Sequence, residues 1–310
     1  VEAIQAMLEG RAKLFFAMGG NFLQATPDTQ RTATALQSCE MVVHVSTKLN
    51  RGHLLHNEWS IILPCLARSE IDEQAYGPQF VTVENSMGVV HSSQGHMKPA
   101  HDALYSEPAI VAWLAERVLG PENPVSWCWL IEDYDRIRDL IAKTIPHFEN
   151  FNERVREPGG FLLYNGARER EFNTDGGKAK FTINDAPDLS LPEGAFRMMT
   201  MRTHDQYNTT VYGTDDRYRG IHGGRRVVFM NEHDMAEAGL DAGTLVDLRN
   251  DFGGRMRLAP RFTVVPYPIP RRCVGTYFPE ANVLVPLERF AEGSFTPASK
   301  DVVVRLSPSV

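Results

Sequence analysis

The sequence predicts a mixed α/β protein in which a doubly wound α/β domain is followed by a β-barrel. In the first half, apolar strand-like runs alternate with helical segments. Beyond about residue 190, short strand-like segments follow one another with a single helical segment among them. The stretch NDAPDLSLPEGA (184–195) between these two regions is typical of a linker. We therefore predict domains at 1–189 and 190–310.

The α/β prediction depends on four early segments. The apolar run KLFFAMG predicts a buried strand that ends at Gly19 and Gly20. A helix is predicted directly afterwards, with Asp28 as its N-cap. The segments MVVHVS (41–46) and SIILPC (60–65) predict two further buried strands.

Short sequence patterns also predict the later helices, strands and turns. Residues 81–93 predict a hairpin with its turn at Asn85–Gly88, and Ser106 and Gly120 mark the start and end of a helix. A further helix is predicted in DYDRIRDLIAKTI. In the last domain, six strands are predicted in RMMTMRT, RRVVFM, GTLVDLRN, RMRLAPRFTVV, CVGTYFP and KDVVVRLS, with one helix in NEHDMAEAG.

Composition limits the possible partners. The chain has 310 residues, of which 43% are hydrophobic and 23% charged, and its formal net charge is −7. No apolar run approaches the roughly 20 residues of a membrane-spanning helix. The negative net charge argues against nucleic acid and anionic membranes as partners, so any anion must be bound by a local cluster of donors.

The cysteines and the N-terminus give two further expectations. Four cysteines occur, and none lies in a C-x-x-C or at a zinc or iron–sulfur spacing; they are Cys39, Cys65, Cys128 and Cys273. We expect reduced thiols and a cytoplasmic location. The first residues lack an initiator Met and a signal-peptide pattern, which predicts that a longer polypeptide contains this chain.

Several small motifs are ambiguous. The Gly19–Gly20 turn after a strand can present N–H groups to a phosphate, but on this motif alone a purely structural turn is the preferred interpretation. His53 and His56 have a spacing that occurs in metal sites, yet no third ligand is evident and a polar loop is the preferred interpretation. Glu70 and Asp72 likewise fit either paired carboxylates or a solvated loop.

The strongest binding signal lies between Arg197 and Arg226. This segment contains six arginines against three aspartates, interspersed with amides, hydroxyls and glycines. Arg202 can donate two hydrogen bonds to a phosphate, and Tyr207 offers a flat surface. The residue types indicate a site for a polyanionic ligand, with an arginine-rich solvated loop as the alternative.

Several motifs in this order resemble the molybdopterin oxidoreductases of the dimethyl-sulfoxide-reductase superfamily. The segments are FFAMGGNFLQATPDTQRTATAL, VVHVSTKLNR, IILPCLARSEID, TVENSMGVVHSSQG, GKAKF, MMTMRTHDQYNTTVYG, VFMNEHDMAEAGLDAGTLVDL, YFPEANVLVP and SKDVVVRL. Within the superfamily, STKLNR and HDQYNT are most similar to the formate-dehydrogenase-like alpha subunits. The resemblance implies that 1–189 is the rear part of the dinucleotide-binding α/β domain and that 190–310 is a double-psi-like barrel.

The resemblance also implies a cofactor, a molybdenum or tungsten ion held by two molybdopterin guanine dinucleotides. The implied cofactor-binding residues are Gly19, Gly20, Asn21, Gln24, Ser46, Thr47, Asn50, Glu107, Arg202, Thr203, Gln206, Tyr207, Asn208 and Asn282. Glu107 would read guanine N–H groups where the family usually has Asp. Arg219 lies outside the matching positions, and we expect it to contribute little.

Two departures from the family pattern affect what this chain does. The family's metal-ligating residue and its iron–sulfur cysteines lie upstream of anything present here, and none of the four cysteines matches them. At the end of the second strand many relatives place an Asp, where this sequence has HVST. We therefore expect no catalytic residue and no metal ligand in this chain, and an iron–sulfur cluster only in the missing N-terminal part.

The resemblance implies an enzyme that oxidises formate to carbon dioxide by two-electron transfer, with a possible electron-transfer subunit as partner. One alternative keeps the family and changes the substrate to an N- or S-oxide or nitrate. Another is a non-catalytic scaffold or electron-transfer subunit of the same fold. The sequence does not identify the substrate, the electron acceptor or the oligomeric state.

Overall fold

The computed structural model describes residues 1–209 and 211–309. The helices are α1 (Glu2–Leu8), α2 (Phe22–Ala25), α3 (Thr29–Gln37), α4 (Glu107–Leu119), α5 (Trp127–Glu132), α6 (Tyr134–Thr144), α7 (Phe151–Arg156), α8 (Gly166–Glu169) and α9 (Glu232–Ala238). The strands are β1 (Leu14–Met18), β2 (Met41–Ser46), β3 (Trp59–Pro64), β4 (Asp72–Gln74), β5 (Gly77–Gln79), β6 (Val81–Glu84), β7 (Val89–Ser93), β8 (Phe161–Leu162), β9 (Phe196–Met201), β10 (Val227–Met230), β11 (Leu245–Asn250), β12 (Arg257–Pro266), β13 (Cys273–Tyr277) and β14 (Val302–Pro308). Short 3₁₀ helices lie at Arg51–Leu54, Phe252–Gly254 and Asn282–Leu284.

The chain packs as two compact units. The first unit comprises residues 1–63 and 188–310, and the second comprises residues 64–187. These units differ from the predicted domains, because the first 63 residues pack with the barrel rather than with the segment that follows them. The division into functional domains at 1–189 and 190–310 stays a prediction.

The first strands of the first unit form a three-stranded sheet in the order β1-β2-β3. β1 and β2 are parallel, with Leu14 opposite Met41 and Met18 opposite Val45. The apolar residues of α1 and α3 form one hydrophobic cluster with this sheet, which includes Ile4, Met7, Ala35, Leu36 and Val42. Because β1 and β2 run in the same direction, the loops that follow them begin at the same sheet edge.

The predicted burial of the third strand is wrong for the described residues. All six residues of β3 are exposed. By contrast, the central strand β2 buries Val42, Val43 and Val45. β3 lies at the end of the strand order, and the described residues cover little of either of its faces.

The six predicted C-terminal strands are all present and close into one barrel. The strand order is β10-β12-β11-β14-β9-β13. β10 and β12 are parallel, as are β13 and β9, and the other pairings are antiparallel. Alternate residues of these strands fill the interior, among them Met198, Val228, Val246, Phe262, Val274 and Val304. Closure pairs every barrel strand on both sides, and a mixed α/β fold with a barrel is thereby confirmed. The doubly wound and double-psi descriptions stay predictions.

The predicted end signals of two helices are confirmed. Ser106 accepts a hydrogen bond from the Ala109 N–H at 3.4 Å, and α4 ends at Gly120 with a φ of 74°. Asn231 caps α9, which ends at Gly239 with a φ of 64°. Such positive φ angles favour glycine because it lacks a Cβ.

Asp28 departs from its predicted role. It precedes α3, but its side chain caps no N–H group there, and its backbone is left-handed with a φ of 49°. Its carboxylate accepts hydrogen bonds from Nε and Nη2 of Arg257 at 2.9 and 2.6 Å. Both side chains are buried, at 5% and 4% exposure. The pair joins the N-terminal layer of the first unit to its barrel.

The second unit is built around α4 to α7 and two small sheets, β4-β5 and β6-β7-β8. The β6–β7 hairpin has its turn at Asn85–Gly88, as predicted, and Gly88 has a φ of 77°. A buried polar network holds α4 against α6, because the Ser106 hydroxyl lies 2.8 Å from the Tyr134 hydroxyl. The Tyr134 hydroxyl also donates to Asp72. Burial, followed by the Asp72 contact, raises the pKa of Tyr134.

Two further features of the described part of the chain concern membrane-spanning helices and thiols. Within it, no helix combines the length and apolar character needed to cross a bilayer. All four cysteines are free.

Asp28→Ala is expected to lower the free energy of unfolding by about 3–5 kcal/mol, because it leaves a buried guanidinium without its main counter-charge. Chemical denaturation measures this change. The matched control is Asp251→Ala, which breaks an exposed ion pair with Arg249 and should cost at most about 1 kcal/mol. Equal costs for the two variants would contradict the proposed role of the buried pair.

Candidate cofactor-binding site

The turn after β1 has the backbone conformation that its two glycines allow. Gly19 and Gly20 have φ angles of 66° and 68°. The Gly19 N–H donates to the Val45 carbonyl at 2.8 Å, which fixes the turn to the end of β2. No atom lies within 4 Å of a Cβ built on Gly20. The backbone of Gly20 is therefore open, and the glycine is required by its φ angle rather than by packing.

The predicted residues on the first two loops lie together. The Asn50 side chain donates to the Gly20 carbonyl at 3.1 Å and accepts from the Gly52 N–H at 2.8 Å. The Asn21 side chain accepts from the Gln24 N–H at 3.3 Å. Asn50 thus connects the loop after β2 to the glycine turn after β1.

The two remaining predicted residues of the second loop differ in their contacts. The Ser46 hydroxyl donates to the Lys48 carbonyl at 2.8 Å. Thr47 is exposed. Ser46 therefore shapes the loop, whereas Thr47 presents its side chain to solvent.

His53 is part of the loop structure, in line with the preferred interpretation. Its Nδ1 accepts from the Asn50 N–H at 2.9 Å, and its ring lies 4.5 Å from that of His44. Burial, together with the neighbouring His53, lowers the pKa of His44. His56 is exposed. The described residues hold no group of three or more His, Cys, Asp or Glu placed to bind a metal ion.

Most arginines of the 197–226 segment serve the fold. Arg197 pairs with Asp301, Arg219 with Asp216, and Arg225 with Glu280. Arg217 lies 3.9 Å from Asp205, and Arg226 donates to a backbone carbonyl. The unusual number of arginines is thus explained mainly by structural pairing.

Arg225, which the sequence did not single out, organises the loop. It is 6% exposed. Its guanidinium donates to Glu280 at 2.8 Å, to the Gln206 side-chain oxygen at 2.9 Å and to the Phe278 carbonyl at 2.7 Å. It also lies over the ring of Tyr212 at 4.5 Å. Its position inside an arginine-rich segment gave no sign of this role, because its partners are distant in sequence.

Asp216 is a second buried centre of the loop. Its carboxylate accepts from the Tyr277 hydroxyl at 2.9 Å and from Arg219 at 2.6 Å, and it lies 3.2 Å from Nδ1 of His204. Burial opposes ionisation, yet these hydrogen bonds lower the pKa of Asp216. Arg219 therefore serves the fold by neutralising a buried carboxylate, and its expected small contribution to cofactor binding stays a prediction.

Arg202 and Lys300 differ from the paired cations. Neither forms an ion pair with a carboxylate of residues 1–209 and 211–309. The exposed Arg202 donates to the Asn208 side-chain oxygen at 2.8 Å and lies over the Phe278 ring at 5.5 Å. Lys300 donates to the Thr200 carbonyl. Burial and then the Arg202 guanidinium lower the pKa of Lys300. Since Thr200 precedes Arg202 by two residues, both cations lie at the end of β9.

The other predicted residues of this loop separate into inner and outer positions. Thr203 is 5% exposed, and Gln206 uses both ends of its amide, accepting from the Thr203 N–H at 3.1 Å and donating to the Phe278 carbonyl at 2.8 Å. Tyr207 is 71% exposed. Asn208 has a φ of 48°, a left-handed conformation that Asn tolerates well. Among the predicted cofactor-binding residues of this loop, the exposed ones are Arg202, Tyr207 and Asn208.

Asn282 connects the barrel to the first loop. It is 3% exposed, and its side chain donates to the Gln24 carbonyl at 2.7 Å. Its own carbonyl accepts from the Asp28 N–H at 2.9 Å. Asn282 follows Phe278 by four residues, so one short segment contacts both the Arg202 loop and α2. The predicted residue Glu107 belongs to the second unit, where it lies in the first turn of α4.

Comparison with known proteins supports a molybdopterin-binding interpretation. Residues 196–303 match the Molydopterin dinucleotide binding domain family. This match covers the barrel and the donor-rich loop, and the named family binds the class of cofactor predicted from the sequence.

Two curated relatives align with the full length of the chain. An uncharacterized oxidoreductase of Mycobacterium tuberculosis is 47% identical over 315 residues, covering 100% of this chain and 40% of the relative. Protein YdeP of Escherichia coli is 45% identical over 316 residues, covering 100% of this chain and 41% of the relative. The chain thus spans about two fifths of the length of these relatives.

The fold is similar to that of solved structures, of which one example is a hydratase. Acetylene hydratase from Pelobacter acetylenicus superposes with a TM-score of 0.65 at 13% identity, covering 99% of this chain and 46% of that one. At this identity the likeness concerns the fold alone. Together, the comparisons support part of a molybdopterin oxidoreductase, while the predicted formate specificity and the individual site residues stay predictions.

Asp216→Asn is expected to cost about 1.5–3 kcal/mol of stability at neutral pH, because it removes the charge that Arg219 neutralises. The folded-state pKa of Asp216 lies below its unfolded value, so its contribution is present above the unfolded pKa and is lost as pH falls through the folded one. Denaturation between about pH 3 and about pH 7, the range in which carboxylates titrate, should therefore show that the variant loses less stability on acidification. The exposed Asp215→Asn serves as control, and an unchanged pH profile in Asp216→Asn would contradict this role.

Proposed function

We propose that this chain is the C-terminal cofactor-binding part of a molybdopterin oxidoreductase, and that its first unit holds a molybdopterin guanine dinucleotide. The observation that carries the proposal is that two cations at the end of β9, Arg202 and Lys300, form no ion pair with a carboxylate of the described residues. Two like charges held together in a protein of net charge −7 favour a bound anion. A diphosphate is such an anion.

The surrounding chemistry fits a dinucleotide with a flat ring system. Arg202 has a planar guanidinium that can donate two parallel hydrogen bonds to a phosphate, and Lys300 adds a point charge. Tyr207 offers an exposed aromatic face in the same loop as Arg202. The open backbone at Gly20 allows close approach of a ligand to the main chain.

We divide the predicted residues by role. Those proposed to contact the cofactor directly are Gly19, Gly20, Thr47, Arg202, Tyr207, Asn208 and, as an addition, Lys300. Those proposed to hold the loops in position are Asn21, Gln24, Ser46, Asn50, Thr203, Gln206 and Asn282, because they are buried or half-buried and their polar groups bond to protein atoms. Glu107 stays a predicted guanine contact.

When bound, a bis-pterin molybdenum or tungsten centre would supply two-electron redox chemistry. The residues of this chain bind and orient that group. We propose that the metal ligand and any iron–sulfur cluster belong to a segment equivalent to the part of the relatives outside the match. Formate is the proposed substrate, on the strength of the STKLNR and HDQYNT motifs.

Arg202→Ala is expected to lower cofactor occupancy about ten- to a hundredfold, since a charge-assisted phosphate contact is worth about 1.5–3 kcal/mol. The measurement is pterin and molybdenum content per folded polypeptide under limiting cofactor. The protein is a chimera in which this chain replaces the matched segment of the Mycobacterium tuberculosis relative. Lys300→Ala should act in the same direction, and Arg202→Lys should recover only part of the occupancy.

The control for this experiment is Arg217→Ala, which removes a cation that is 69% exposed and lies in the same loop. It should leave occupancy unchanged. Full occupancy in Arg202→Ala at matched thermal stability would refute the phosphate role and return the segment to a solvated loop.

The chimera is also expected to reduce a dye with formate, whereas the 310-residue chain alone should not, because we propose that it lacks the metal ligand. Activity with nitrate or an N- or S-oxide but not formate would assign the alternative substrates. A folded chimera without pterin or molybdenum would favour a non-catalytic scaffold. Turnover by the pure 310-residue chain would disprove the proposal that the metal ligand belongs to another segment.

A further inference from the structure

His53 belongs to the 3₁₀ helix that follows the second loop of the candidate site, and it closes a capping box with Asn50. Nδ1 of His53 accepts from the Asn50 N–H at 2.9 Å, while the Asn50 side chain accepts from the Gly52 N–H at 2.8 Å. The amide nitrogen of the Asn50 side chain donates to the Gly20 carbonyl at 3.1 Å. A chain of hydrogen bonds therefore runs from the His53 ring through Asn50 to the glycine turn.

The bond at Nδ1 assigns the proton of the His53 ring. An imidazole nitrogen that accepts a hydrogen bond carries a lone pair, so the neutral ring has its proton on Nε2. Nε2 of His53 is buried and has no hydrogen-bond partner among the described residues. A buried N–H without an acceptor is unfavourable. The capping bond at Nδ1, rather than a contact at Nε2, therefore holds the ring in this tautomer.

Protonation of the His53 ring would break the capping bond. A proton added at Nδ1 would face the Asn50 carbonyl, which lies 3.1 Å away, and the Asn50 N–H would lose its acceptor. The ring beside His53 is that of His44 on β2, with 4.5 Å between the ring centroids. Among the described residues, the histidines that pair with a carboxylate are His204 and His222. His53 thus has a second imidazole as its neighbour and no carboxylate to balance an added charge.

The segments around the ring carry other basic groups. α2 packs against the 3₁₀ helix, and its residues FLQA have no titratable side chain. On β2 the titratable side chain is His44. The 3₁₀ helix itself contributes Arg51, the preceding loop contributes Lys48, and Glu58 further along the chain is exposed. A charge on His53 would therefore lie among like charges, which repel it.

We propose that His53 is a positioning residue of the cofactor site, that its neutral ring holds Asn50 and the glycine turn in place, and that its protonation releases them. The inference rests on the proposed function in one respect, namely that the turn after β1 contacts the cofactor. The hold on Gly20 is present while Nδ1 is unprotonated and is lost as pH falls, so acidification should weaken cofactor retention.

His44 acts in the same direction. Burial and then His53 lower the pKa of His44 in the folded protein. A base whose folded-state pKa lies below its unfolded value contributes stability at higher pH, and that contribution is lost as pH falls through the folded value. The two rings therefore both favour an ordered loop at the higher pH.

Hydrogen exchange of the chimera, prepared without molybdenum cofactor, tests the loop directly. His53→Ala removes the acceptor of the Asn50 N–H, whereas His53→Gln retains one, because Gln at this position of a capping box also reaches back to that N–H. At about pH 8, where histidine is neutral, the amides of residues 50–52 should exchange about tenfold faster in His53→Ala than in the unsubstituted chimera. At about pH 5 the unsubstituted chimera should resemble His53→Ala, while His53→Gln keeps its protection.

Cofactor retention provides the second measurement. Pterin and molybdenum content is determined after dialysis of the loaded chimera, and at about pH 5 the unsubstituted protein should retain about fivefold less than His53→Gln. The matched control is His56→Gln, which removes an exposed histidine three residues further along and should behave like the unsubstituted protein in both measurements. Arg202→Ala, by contrast, should lower retention at both pH values.

Three results would overturn the proposal. In the first, residues 50–52 of the unsubstituted chimera are equally protected at both pH values, relative to the exchange of an unstructured peptide. In the second, His53→Ala and His53→Gln keep the pH dependence of the unsubstituted protein, although neither side chain titrates. In the third, retention depends on pH while the exchange of residues 50–52 does not. A folded chimera that never holds cofactor would instead refute the proposed function, and exchange would still decide whether His53 holds Asn50.

Discussion

The buried ion pair between Asp28 and Arg257 is the interaction on which the arrangement of the first unit depends. Its partners are 229 residues apart in sequence, and both are almost fully buried. A buried charge is costly unless its hydrogen bonds are satisfied. Arg257 meets this requirement with further bonds to Glu288, to Asn250 and to two backbone carbonyls. Because Asp28 follows α2 closely, the same pair fixes the position of the glycine turn relative to the barrel, and the Asn282 bond to Gln24 acts in the same place.

Charge pairing elsewhere in the barrel decides which cations are available to a ligand. Asp216, Glu280 and Asp301 each neutralise an arginine of the donor-rich segment. These pairs tie the loop to the barrel. The single guanidinium of Arg225, for example, bonds to Gln206, to Phe278 and to Glu280. A rigid loop presents its remaining donors in a fixed geometry, which favours recognition of a planar, multiply charged ligand. Within the described residues, Arg202 and Lys300 form no ion pair with a carboxylate, so the network that pairs the other cations leaves these two open.

The two sheets of the first unit differ in whether they have unpaired edge strands. The barrel strands are all paired on both sides, and their interior is filled by apolar side chains. The three-stranded sheet ends at β3, whose backbone edge and apolar faces are open in the described residues. The barrel therefore has no open edge, whereas the three-stranded sheet has one at β3 in the described residues.

The sequence by itself determined the elements of this protein and much of their order. Helix caps at Ser106 and Asn231, the terminal Gly239, the hairpin turn at Asn85–Gly88 and the six barrel strands were predicted correctly, because each depends on residues within a few positions of one another. The residues of the candidate site were predicted from the motifs and their order, without their individual contacts. The tertiary structure decided which polar groups are open and which are used. Asp28 pairs with Arg257 instead of capping α3, Arg225 is buried among distant partners, Lys300 lies near Arg202, and β3 is exposed. The physical reason is that pairing and burial depend on residues far apart in the chain, whose proximity leaves no local pattern in the sequence.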